Sequence, residues 1–126
     1  MPKPRDINTR EDVQALVMAF YDSARPDKEI GHFFVDVDWG HHIPLITAFW
    51  CMVILGERDY QGDPMTAHMR LHQRMPMLPA HFDRWLALWE RTVDDLFQGP
   101  KAEEAKQRAR SIAGVMAHRV TGRQAG

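Results

Sequence analysis

Apolar residues recur along almost the whole chain at three- and four-residue intervals, the spacing that places them on one face of an α-helix. Val13, Leu16, Val17, Phe20 and Ala24 form the first such face. Thr9 followed by Asp12 has the spacing of an N-terminal capping box, with Asp in place of the usual Glu or Gln. Pro26 and Gly31 break the pattern, and Lys28 to Phe34 has room for one or two turns. A second helix is expected from about Asp38 to Leu55, with Ile46, Phe49, Trp50, Val53 and Ile54 inward and Gly56 as its stop. Pro44 lies within its first turns and predicts a bend or a late start. Asp63 and Pro64 read as the cap and first residue of a short helix through His72. After a connector stiffened by Pro76, Pro79 opens the clearest helix, with Phe82, Trp85, Leu86, Trp89, Val93, Leu96 and Phe97 as its stripe. A last helix over about Lys101 to Val120 turns Ala105, Ala109, Ile112, Ala113 and Met116 inward. There is no β-type alternation. The pattern predicts an all-α fold of five or six helices in one domain, residues 1–126, with flexible ends over 1–8 and 121–126.

Composition narrows the class. A 44% hydrophobic, 26% charged chain of 126 residues has enough apolar surface for a core, which excludes wholesale disorder. With 16 Lys+Arg against 17 Asp+Glu the net charge is -1, which argues against nucleic acid or an anionic membrane as partner. The basic run Lys106, Arg108 and Arg110 reads as the solvated face of the last helix. The longest nearly apolar stretch, Ile43 to Leu55, falls short of the roughly 20 residues a bilayer requires. Cys51 has no second Cys to pair with, and no secretory leader is visible at Met1–Asp6, so a reducing cytoplasm is expected.

The informative residues are polar groups on inward faces. Tyr21, beside Phe20, carries a hydroxyl that needs a partner if buried. Trp85 and Trp89 each carry one N–H with the same demand. Of the adjacent His41 and His42, which point about 100° apart on a helix, His42 leads the Ile46, Phe49 and Val53 stripe. His68 and His72 share a helix face at metal-chelating spacing. The Met69-Arg70-Leu71 between them lacks the Glu of a zinc hydrolase, and no third ligand stands out. Together with Phe33, Phe34, Ile46, Phe49 and Phe82, these groups could enclose an apolar space with a few convergent polar atoms. A planar cofactor such as haem, with an axial imidazole and hydrogen-bond donors opposite, suits that combination.

The string Phe20-Tyr21, Ile30-Gly31-x-x-Phe34, Trp39-x-x-His42, Phe49-Trp50, Leu55-Gly56, Tyr60-x-Gly62-x-Pro64 and His81-Phe82-x-x-Trp85-Leu86 resembles the group III truncated haemoglobins. The resemblance runs from about Val13 to Ala113 and implies a two-over-two helical sandwich around haem b, iron protoporphyrin IX. It implies a distal pocket of Tyr21, Trp85 and a gating His42 beside Phe20, and haem packing by Phe34, Ile46, Phe49, Trp50 and Phe82. For the proximal ligand two candidates remain. The spacing from Pro64 favours His68. The spacing to Trp85 and the run His72-x-x-Met75-Pro76 favour His72, which is taken as the metal ligand. Arg70, Arg74 or the non-ligating His is expected to meet the haem propionates.

The activity this resemblance implies is tight binding of dioxygen, nitric oxide or carbon monoxide, with slow release that suits a carrier poorly. Nitric oxide dioxygenation or peroxidase-like chemistry, with a reductase as partner, is one functional reading. A gas or redox sensor is a second, and a cofactor-free helical interaction domain a third.

Overall fold

Helix boundaries in the computed structural model, which describes residues 4–122, follow the caps and breakers of the sequence. Helix α1 spans Arg10–Ala24, a single 3-10 turn Gly31–Phe34, α2 Trp39–Leu55, α3 Pro64–Arg74, α4 Pro79–Leu96 and α5 Pro100–Thr121. The Thr9 hydroxyl accepts from the Asp12 backbone N–H at 3.1 Å, and the Asp12 carboxylate accepts from that of Thr9 at 3.0 Å. Gly56 ends α2 at φ 73°, where a residue without Cβ is least strained. Asp63 caps α3 by accepting from the Thr66 N–H at 3.1 Å. Pro44 does not delay α2, which begins at Trp39.

Helix α5 has no cap of its own, and its N-terminus is capped from a distance. The Asp6 carboxylate accepts from the Lys101 N–H at 2.9 Å and the Ala102 N–H at 2.8 Å. Burial alone would raise the pKa of Asp6, but these donors and the Ile7 N–H outweigh it and hold the carboxylate below its ordinary value. Ile7 is fully buried, and Arg5 donates to the Asp12 carboxylate. Within the end expected to be flexible over 1–8, residues 5–8 carry these contacts and the buried Ile7. Residues 1–3 and 123–126 of the expected flexible ends lie outside the described residues.

The helices form a two-over-two sandwich: α1 packs on α2 and α4, α4 on α5, and both α2 and α3 reach α5. Val13, Leu16, Val17 and Ala24 are wholly buried, as their spacing predicts. On α5, Ala102, Ala105 and Ala109 are small enough to let α4 approach closely. Trp89 occupies that seam, donating its N–H to the Ala105 carbonyl at 3.2 Å and stacking on Trp50 at 4.4 Å. Leu96, expected inward, is exposed at the end of α4, and Leu88 and Thr92 take the inward places instead. Among the described residues there is no strand, only an isolated pairing of Arg5 with Phe97. No helix there is long and apolar enough to cross a membrane.

Candidate functional site

Several inward stripes are only half buried, and the reason is a cavity. Ile46 and Phe49 on α2, Leu71 on α3 and Met75 just after it, and Trp85 on α4 face a common space of about 330 Å³ between the helices. Helix α3 has no buried residue, because its apolar side looks into this space.

On the wall formed by α1 and α2, the Tyr21 hydroxyl and His42 Nε2 lie 2.8 Å apart. The Tyr21 ring is held edge-on by Phe20, Phe34 and Trp39 at centroid distances of 5.1, 5.5 and 5.0 Å. Burial pushes the Tyr21 pKa up, so the phenol stays protonated. Burial first, then the proximity of His68 and His41, lowers that of His42 and favours its neutral ring. His42 lies on the cavity wall, and His41 is exposed.

The α3 wall sets the two candidate histidines apart. His68 lines the cavity and His72 does not. His68 Nδ1 lies 2.6 Å from the Pro64 carbonyl oxygen. A carbonyl only accepts, so Nδ1 carries the proton and Nε2 keeps a free lone pair. His72 has the reverse arrangement: its Nδ1 accepts from the Met77 backbone N–H at 2.8 Å, which puts the neutral ring's proton on Nε2. Neither nitrogen of His72 then offers a lone pair, and the residue instead braces the connector between α3 and α4. A signal for this was present in the sequence. Leu71 and Met75 are apolar residues of this segment, His68 continues their stripe at helical spacing, and His72 lies about 100° from Leu71.

The remaining expected residues divide cleanly. Phe20, Phe34, Ile46, Phe49, Trp50, Phe82 and Trp85 all line the cavity. The Trp85 N–H has no partner among the described residues, in contrast to that of Trp89. Of the two arginines expected near haem carboxylates, Arg70 is exposed and not on the wall, whereas Arg74 lies on it. Met116, expected inward on α5, also lines the space, as do Met77 and His81, to which the sequence reading gave no role in the site. Cys51 is buried elsewhere, its thiol pushed up to about 12, chiefly by burial, and so held protonated.

Comparison with known proteins gives a consistent set of relatives. A family model described as bacterial-like globin matches residues 6–121. A group 3 truncated haemoglobin, ctb, of Campylobacter jejuni is 32% identical over 110 residues, covering 82% of this chain and 84% of that protein. The crystal structure of a group III truncated haemoglobin from Campylobacter jejuni superposes with a TM-score of 0.82 at 28% identity, covering 94% of this chain and 95% of that one.

Proposed function

Because this chain belongs to the bacterial-like globin family and is thereby a haem-binding globin, we propose that His68 is its iron ligand and that Tyr21, His42 and Trp85 form the ligand-binding side. The observation that carries the reading is the His68–Pro64 contact at 2.6 Å, on a wall of the same cavity that holds the Tyr21–His42 pair. The residues present fit haem: an apolar slot, one imidazole nitrogen with a free lone pair, and a phenol and an indole as hydrogen-bond donors. The one Cys is not on the wall, so no thioether link is available, which supports haem b held without covalent attachment.

When bound, haem supplies a ferrous iron with one position for an imidazole and one for a diatomic gas. The Pro64 carbonyl fixes the tautomer and ring orientation of His68 and raises its basicity. Phe34, Phe49 and Phe82 exclude water and hold the site at low dielectric, where each hydrogen bond is strengthened. A neutral His42 can donate Nε2–H to the Tyr21 oxygen, which frees the Tyr21 hydrogen to point into the cavity beside Trp85. Two such donors directed at a gas that gains negative charge favour tight binding and slow release. That would suit oxidative chemistry, with dioxygen as the oxidant of nitric oxide or peroxide as the oxidant of a reducing substrate and a reductase as partner, better than transport.

The test is absorption spectroscopy of protein expressed with haem available. Wild type and His72→Ala are expected to give a Soret band that shifts on reduction and again with carbon monoxide. His68→Gly is expected to lose the band or recover it only with added imidazole. A His68→Gly spectrum identical to wild type, with His72→Ala colourless, would sink the assignment.

A further inference from the structure

The cavity holds more polar chemistry than gas binding uses. Among its described lining residues, Arg74 is the one Lys or Arg. His42 is engaged with Tyr21, and His68 is committed through Pro64. The one remaining wall imidazole is His81, in the first turn of α4. Its Nδ1 accepts from the Leu78 backbone N–H at 2.9 Å, so the neutral ring must carry its proton on Nε2. The ring stands edge-on to Phe33 at 5.0 Å and to His32 at 5.6 Å, which restricts its swing. Arg74 ends α3 and His81 lies in the first turn of α4, so the short connector Met75–Leu78 links two elements that give the cavity wall a guanidinium and an imidazole N–H donor.

We propose that Arg74 and His81 form the carboxylate-holding edge of the cavity and take the two propionates of haem, an assignment that rests on the haem reading above. The two donors complement each other. The guanidinium offers charge and paired N–H groups, and the imidazole offers a single donor of fixed direction. The N-terminus of α4, where His81 sits, adds a favourable dipole for negative charge. Burial first, then His32, lowers the pKa of His81, while Glu29 opposes them, so the unliganded ring binds as a neutral donor. Asp36 is the acidic residue on the described wall and disfavours a carboxylate beside itself, which directs the propionate edge toward α3 and α4. The arrangement selects a free-acid porphyrin over an esterified one.

The experiment compares wild type, Arg74→Gln and His81→Glu, each reconstituted with haem and with haem dimethyl ester. The readout is the rate of cofactor loss to an excess of scavenging apoprotein at low salt. His81→Glu keeps an acceptor for the Leu78 N–H, as in an ordinary capping box, while reversing the interaction with a carboxylate. Each variant is expected to lose haem about tenfold faster than wild type, a loss equivalent to about 1.4 kcal/mol. All three proteins are expected to lose the ester at the same rate. Equal haem-loss rates in all three proteins would overturn the proposal, as would variants that lose haem and ester faster by the same factor. A wild type that binds neither porphyrin would overturn the His68 assignment and this one with it, a result distinct from equal rates. Should His81→Glu fold poorly, His81→Gln retains the Nδ1-like acceptor, and exposed Arg74 carries the test independently.

Discussion

Replacing Tyr21 by Phe removes one oxygen and almost nothing else. The ring keeps its edge contacts with Phe20, Phe34 and Trp39, and at 8% exposure the site stays closed to water. The folding cost is therefore that of the single 2.8 Å contact with His42, about 1 kcal/mol. The functional cost is larger. A hydrogen bond from the Tyr21 hydroxyl to a gas bearing partial negative charge contributes about 1.5–3 kcal/mol, so its loss speeds dioxygen dissociation between about tenfold and a hundredfold. The lower end applies if the hydroxyl hydrogen spends much of its time on His42 instead. His42→Leu separates the cases: with the competing acceptor gone, dissociation is expected to slow or stay unchanged, since Tyr21 can then point only into the cavity. The assay is stopped-flow displacement of dioxygen by excess carbon monoxide from the ferrous proteins, with a thermal melt to confirm that each variant is folded. A Tyr21→Phe dissociation rate within about twofold of wild type would refute the argument. Faster release from His42→Leu would make His42 itself the donor.

Two further expectations concern stability. Asp6→Ala strips the borrowed cap from α5 and should cost about 1–2 kcal/mol, read as a lower urea midpoint at unchanged slope, and a change below about 0.3 kcal/mol would show the cap to be idle. Asp12 is held well below its ordinary 3.8, first by the Arg5 guanidinium and then, against burial, by the Asn8 and Thr9 N–H groups. Asp27 is likewise lowered, chiefly by Arg84 at 2.8 Å. A carboxylate depressed on folding stabilises fully above its unfolded pKa, and the contribution fades as pH falls through the folded one. The urea midpoint of wild type should therefore exceed that of Asp12→Asn most at pH 7 and by a shrinking margin toward pH 3. A constant margin would mean that the Asp12 charge is not what stabilises.

The helices and most of the cavity wall were legible in the sequence because local physics sets them. Periodicity chose the buried face of α1, and side-chain caps at Thr9 and Asp63 and the left-handed Gly56 set ends that tertiary packing did not move. Tyr21 and Trp85 could be picked out because each carries a polar atom at or beside an apolar stripe, which a core alone does not require. Trp89 carries the same atom on the same stripe, and only the packing of α5 distinguishes them. The Ala105 carbonyl takes the Trp89 N–H, while Trp85 is left facing the cavity.

What the sequence determined by itself was the set of helices, their inward faces and a short roster of polar groups, since all three depend on residues within a turn or two of one another. What only the tertiary structure decided was which of those groups meet. His68 and His72 differ by one helical turn and about 40° of rotation, a difference that periodicity weighs only weakly. The docking of α3 turns one ring into the cavity, where the Pro64 carbonyl of its own helix leaves it a lone pair to give, and the other against the connector, where the Met77 N–H leaves it none. The joining of Asp6 to α5 belongs to the same class. Each depends on where chain segments come to rest, and that is fixed by the sum of packing over the whole core.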